Sequence, residues 1–136
     1  PVAGVQGGIV ADNLLGKERK QPSYQSTPSV IFTTPAVAKV GSLEREATEQ
    51  GIVFDVIDTD ITGWFDSKRL GLKYARSKVL VEKNTHKIIG AHLIGNHAED
   101  LISIFALAIE LGLTTEQLKT PIFAFPTASD DMRYMF

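Results

Sequence analysis

Three histidines, one glutamate and a short run of aspartates are the residues of this chain whose types and spacing would suit chemistry. His92 and His97 flank the end of an apolar stretch, with Glu99 just beyond, and His86 lies six residues upstream of His92. A pair of imidazoles and a carboxylate is the raw material of a divalent-metal site, but the spacing supplies no second carboxylate at a ligand position, and the reading is no metal. Asp55, Asp58, Asp60 and Asp66 follow one another along an extended segment. A calcium loop needs a glycine turn and a bidentate glutamate at a fixed offset, and this run has neither, so it reads as an acidic, solvated strand end. Serine, histidine and aspartate are all present, yet nothing in their placement sets up a nucleophile. Trp64-Phe65 beside Lys68-Arg69 is too sparse in charge for a nucleotide-stacking surface and reads as packing.

The composition narrows the choice further. The chain has 136 residues, 14 lysines plus arginines against 16 aspartates plus glutamates, and no cysteine. A net charge of −2 argues against a nucleic-acid partner. The lack of cysteine removes disulfides, thiolate metal ligands and redox thiols from the chemistry of this chain. No apolar run has the ~20 residues that span a bilayer, and no basic stretch followed by an apolar one marks a leader, so the expected setting is the cytoplasm, with no membrane partner. There is no GxGxxG and no P-loop; Gly4-Val5-Gln6-Gly7-Gly8 has the wrong spacing for either. The opening Pro-Val-Ala fits processing or a segment of a longer protein.

Any site must therefore be placed by the elements around it. Residues 1–15 have a loose helical spacing weakened by Gly4, Gly7 and Gly8, each worth ~1 kcal/mol against alanine in a helix interior. A helix so rich in glycine packs closely on something, and its sheet is absent here. Residues 17–28 read as a linker or an extended crossing segment. Strands are expected over 29–34, resuming at 36–41 after Pro35, then over 52–61, 70–83 and 88–95, the last two joined by a hairpin turn at Asn84–Lys87. Ser42 is expected to cap a helix that stops at Gly51, and Thr114 or Thr115 to cap another that stops before Pro121. Residues 62–69 are ambiguous. The order of elements predicts an α+β fold, an antiparallel sheet with helices packed on one face.

The helix over 98–111 is the strongest single signal. Leu101, Ile102, Ile104, Phe105, Leu107, Ile109 and Leu111 leave it apolar almost all the way round. One side suits the sheet. The other calls for a second protein surface, or else for cover by residues 1–15 or by the aromatic tail 121–136. The first choice points to association through Leu101, Ile102, Phe105 and Ile109, together with Phe123 and Phe125 of the tail.

Several segments together resemble a known family. Phe32-Thr33-Thr34-Pro35 through Val40-Gly41, then Ile89-Gly90-Ala91-His92 through Gly95, then Ala98-Glu99-Asp100-Leu101 are similar to the C-terminal dimerisation domain of the flavin-dependent pyridine nucleotide–disulfide oxidoreductases. The opening 1–16 resembles the last helix of that family's FAD-binding domain. The resemblance implies two parts, 1–27 ending an FAD-binding domain and 28–136 forming the dimerisation domain. It implies a homodimer, FAD and NAD(P)H bound by a longer parent rather than by this piece, and Pro1, Val2, Phe125 and Pro126 lying toward the flavin.

The family lends its partner subunit a His-Pro-Thr segment and a downstream glutamate, the histidine serving as acid and base. Here the resemblance places Phe125 at the histidine and Asp130 at the glutamate. A phenyl ring neither gives nor takes a proton. The chain alone is thus expected to have no catalytic residue. The alternative is a stand-alone α+β ligand-binding or regulatory interaction module.

Overall fold

The computed structural model describes residues 1–16 and 19–136. Its centre is a sheet of β1 (Ser29–Ile31), β2 (Ala36–Gly41), β3 (Phe54–Asp60), β4 (Arg76–Glu82) and β5 (Ile88–Gly95), ordered β1-β2-β5-β4-β3. Every neighbouring pair is antiparallel. The α+β architecture anticipated from the element order is the one observed. The β4–β5 hairpin turns through His86, whose φ is 56° and whose amide donates to the Glu82 carbonyl at 2.8 Å. β3 forms one open edge of the sheet and the three-residue β1 the other.

Among the described residues, six helical segments accompany the sheet: α1 (Val2–Leu14), α2 (Glu44–Glu49), α3 (Phe65–Arg69), α4 (Ala98–Glu110), α5 (Thr115–Lys119) and α6 (Ala128–Asp131), with a 3-10 turn at Met132–Tyr134. Alternation along β4 assigns the faces. Val79 and Val81 join Ala38, Val40, Ala91 and Leu93 beneath α4, whereas Leu80 packs with Ile89 and Ala47 of α2 on the opposite side. α4 is thus the main cover of one face, and α2 roofs only one end of the other.

Two close approaches fix this arrangement. Gly41 has φ +74°, and a Cβ there would stand 2.3 Å from the Ile89 carbonyl oxygen and 2.8 Å from Ile109 Cδ1. A Cβ on Gly90 would stand 2.3 Å from the Ser42 carbonyl oxygen. The chain leaves β2 pressed against β5, with the Ser42 amide donating to the Ile89 carbonyl at 2.8 Å.

Several local expectations are corrected. Ser42 does not cap α2. It is buried, and the cap position belongs to Leu43, whose amide donates to Glu46 Oε2 at 2.9 Å. The strand expected at 70–83 begins only at Arg76, and the ambiguous 62–69 contains α3. Thr114 caps α5: its Oγ1 accepts from the Gln117 amide at 3.2 Å, while Gln117 Oε1 accepts from the Thr114 amide at 2.9 Å. α1 forms, but it buries no residue of its own. Residues 19–28 have no regular element, and the first two residues of the expected linker, 17 and 18, lie outside the described residues.

Candidate functional site

α4 carries the association signal, and the structure divides its apolar surface three ways. Leu101, Ile102, Phe105 and Ala108 are buried within the protomer, facing β2 and β5. The C-terminal tail seals a second side. Met132 and Met135 are fully buried in the same core, and the Phe136 ring meets Phe105 edge to face, centroids 6.0 Å apart. A third, narrower row stays open: Leu107 is 57% and Leu111 63% exposed, with Ser103 and Glu110 exposed beside them.

This corrects the interface read from the sequence. Leu101, Ile102 and Phe105 belong to the protomer's own core and are not free to meet a partner. Ile109 and Phe123 are half-buried and packed against that core, and of the six residues only Phe125 is exposed. The apolar helix needed two covers, and the tail supplied the second one. The surface left over is Leu107 and Leu111, which sequence reasoning passed over. Ser103, Leu107 and Leu111 are spaced i, i+4, i+8 and so form a line along the helix. The polar Ser103 and Glu110 were the available marks of the outward side.

Residues 121–127 are a further exposed apolar feature. Ile122 is 94% and Phe125 82% exposed. Only part of the tail is therefore docked. The Phe125–Pro126 bond is cis. Thr127 anchors the end of the segment: its hydroxyl donates to the Ala124 carbonyl at 2.5 Å and accepts from the Asp130 amide at 3.3 Å, capping α6. The Asp130 carboxylate pairs with Arg133 at 3.4 Å. Asp130 thus serves the local turn, and Phe125 presents a hydrocarbon ring to solvent. The Phe125 ring can neither give nor take a proton, and Asp130 has no imidazole at position 125 to orient.

The histidines separate. His92 is on β5, half-buried, its Nε2 3.2 Å from the Ser42 carbonyl. Burial pushes its imidazole below the ordinary histidine value. The Ser42 carbonyl opposes this, and Lys78 and Lys39 push the same way as burial. His97 instead starts α4 in the left-handed region, φ 60°, with Glu99 and Asp100 close enough that one ligand atom from each lies within 4.8 Å of the others. Two carboxylates in the first turn of a helix are also what the helix dipole favours, which accounts for them without an ion.

Pro1 and Val2 are exposed at the start of α1. Phe125 and Pro126 are exposed as well. α1 buries nothing, and a Cβ on Gly4, Gly7 or Gly8 would meet nothing within 4 Å. The helix thus has a close-packing surface and, among the described residues, nothing packed on it.

The chain is a five-stranded antiparallel sheet with one long helix on its face, closed by a docked tail. The family model described as pyridine nucleotide-disulphide oxidoreductase, dimerisation domain, matches residues 27–136, and the chain belongs to that family as a dimerisation domain. It is 43% identical over 135 residues to an uncharacterised 19.7 kDa protein in the mercuric resistance operon of Staphylococcus aureus, covering 99% of this chain and 75% of that one. It is 33% identical over 138 residues to a mercuric reductase of Staphylococcus aureus, covering 97% of this chain but 24% of the reductase. The LpdA protein of Mycobacterium tuberculosis has the same fold, with a TM-score of 0.87 at 21% identity over 98% of this chain and 29% of that one. The chain therefore spans about a quarter of the length of the reductase it matches.

Proposed function

We propose that this chain pairs with a second copy of itself through the open row of α4 and the exposed 121–127 segment, as the homodimerisation domain of a cytoplasmic, flavin-dependent NAD(P)H oxidoreductase. The observation that carries the reading is the pair Leu107 and Leu111, 57% and 63% exposed on a helix whose every other large apolar residue is at least half covered. Fully burying such a leucine is worth roughly 1.5–3 kcal/mol, so two copies meeting along this row recover a useful part of an interface. FAD in such a parent, when bound, passes electrons between NAD(P)H and the substrate. This chain's part is to bring Phe125 and Pro126 of one subunit, and Pro1 and Val2 at the start of α1, toward the flavin as apolar walls. Phe125 contributes no acid or base, so the parent's proton transfers use another group or a different substrate chemistry from that of disulfide exchange through a histidine.

A second reading has one specific support. A protein of 19.7 kDa, far shorter than a reductase, shares 43% identity with this chain over almost all its length. Such a module would bind partners without catalysing a reaction.

Sedimentation of the 136-residue chain over a dilution series tests the pairing. The unmodified chain is expected to dimerise and Leu107→Glu to be a folded monomer. A chain that stays monomeric throughout, or a Leu107→Glu variant that dimerises as tightly, removes α4 as the interface.

A further inference from the structure

The face of the sheet turned away from α4 is only partly roofed by α2. The rest is a groove of about 540 Å³ across β1, β2, β5 and β4. Strand register sets out its floor in two rows. Ile31, Val37 and Ile94 are aligned as neighbours across three strands and lead to Arg76 on the fourth. One step along, Lys39, His92 and Lys78 are aligned in the same way. The groove thus has an apolar band beside a polar one, and its size lies within the several hundred Å³ usual for a small-molecule site.

The charges are unequal in their freedom. Arg76 Nε donates to Asp58 at 2.6 Å and Lys78 Nζ to Glu44 at 2.6 Å, so two of the three cations are already neutralised. The His92 ring is tied to the Ser42 carbonyl, and its burial keeps it neutral at neutral pH. Lys39 has no carboxylate partner among the described residues. One free cation beside a three-residue apolar band matches a single negative charge on an apolar body. A polyphosphate would find only one unspent cation. A segment with several carboxylates would meet Glu44 and Asp58.

We propose that this groove binds a small organic monoanion, its charged group on the Lys39 ammonium and its apolar body along Ile31, Val37 and Ile94. The site is on the opposite side of the sheet from α4, so it stands whether or not the chain dimerises through that helix.

Decanoate is a suitable probe, with decanol as its uncharged counterpart, each titrated into the 136-residue chain by calorimetry and followed by methyl and imidazole NMR. Saturable binding of one decanoate per chain is expected, with shifts centred on Val37, Ile94 and His92. Lys39→Met keeps the apolar stem and removes the charge, and it should weaken decanoate at least about tenfold while leaving decanol unchanged. Lys39 is an exposed strand residue, so the variant folds, and the decanol arm reports that the groove is intact. No saturable binding, equal loss of both probes, or shifts centred on Leu107 and Leu111 would overturn the proposal. So would groove resonances that move with protein concentration alone, which would assign the face to a second copy.

Discussion

Phe105 of α4 and Phe136, the last residue of the chain, meet edge to face with their planes at 83° and centroids 6.0 Å apart. The geometry is the favourable one for two aromatic quadrupoles, and Lys119 Nζ lies 5.6 Å from the outer ring. The contact makes the C-terminus part of the core. Phe105→Ala should cost about 3–5 kcal/mol, as a fully buried phenylalanine does. Phe136→Ala should cost a smaller but measurable amount, and both are read as shifts of the urea midpoint. A Phe105→Glu variant would unfold the protomer and so say nothing about association. If removing Phe136 leaves the midpoint unchanged, the tail does not seal α4.

The glycines divide into two groups with opposite expected behaviour. Gly90→Ala puts a Cβ 2.3 Å from the Ser42 carbonyl, and Gly41→Ala adds a clash to a left-handed φ. Each should cost several kcal/mol, on the order of the severest single substitutions. Gly4→Ala, Gly7→Ala and Gly8→Ala meet nothing and should raise the helicity of α1, by roughly 0.5–1 kcal/mol each. Far-ultraviolet circular dichroism of the triple variant measures it. A loss of helix there would mean that α1 is held in this chain by contacts across its glycine side.

The lowered pKa of His92 makes a pH prediction. The unfolded chain takes up this proton more readily than the folded one, so the folded state loses stability as pH falls. The contribution is complete above the unfolded value of about 6.5 and is lost as pH drops through the lower folded value. His92→Gln should flatten the slope of stability against pH in the weakly acidic range. A slope unchanged by this substitution would separate the titration of His92 from folding.

Asp131 works in the opposite sense. Its pKa is raised, first by burial and then by Asp66 and Asp130. The folded state therefore holds this proton more tightly, and the cost of ionising Asp131 appears as pH rises above the unfolded value near 3.8. Asp131→Asn should stabilise the protein at neutral pH, and the gain should shrink to nothing below that value. Thermal melts of the two proteins at neutral and strongly acid pH decide it.

What the sequence made legible follows from how local each signal is. The β4–β5 hairpin and α4 are long and periodic, and both are where they were expected. α3 is five residues long, too short for a period to show against the glycines and charges around it. Ser42 lost its expected cap role because the helix starts one residue later, with Leu43 at the cap position and Glu46 reaching back to the Leu43 amide, while Ser42 is pressed against Gly90. The family motif was readable at Phe32–Gly41 and again at Ile89–Leu101. Which side of α4 stays open was not, because helical spacing says that α4 needs covering on two sides and is silent on who supplies each cover. That answer came from residues 132–136, thirty positions away in sequence terms from Ile102.

β3 has a consequence for how copies of this chain meet. A seven-residue strand on the rim of a sheet offers its backbone to any passing neighbour, and strand-to-strand addition has no natural end. Here that rim carries Asp55, Asp58 and Asp60, all exposed, while the opposite rim is only three residues long. Asp55 and Asp58 pair with Lys83 and Arg76, so the rim is lined by charged side chains, which oppose strand-to-strand addition. Growth into fibres is thereby discouraged at the one place where it would be easiest, and a pair built on helices can stop at two.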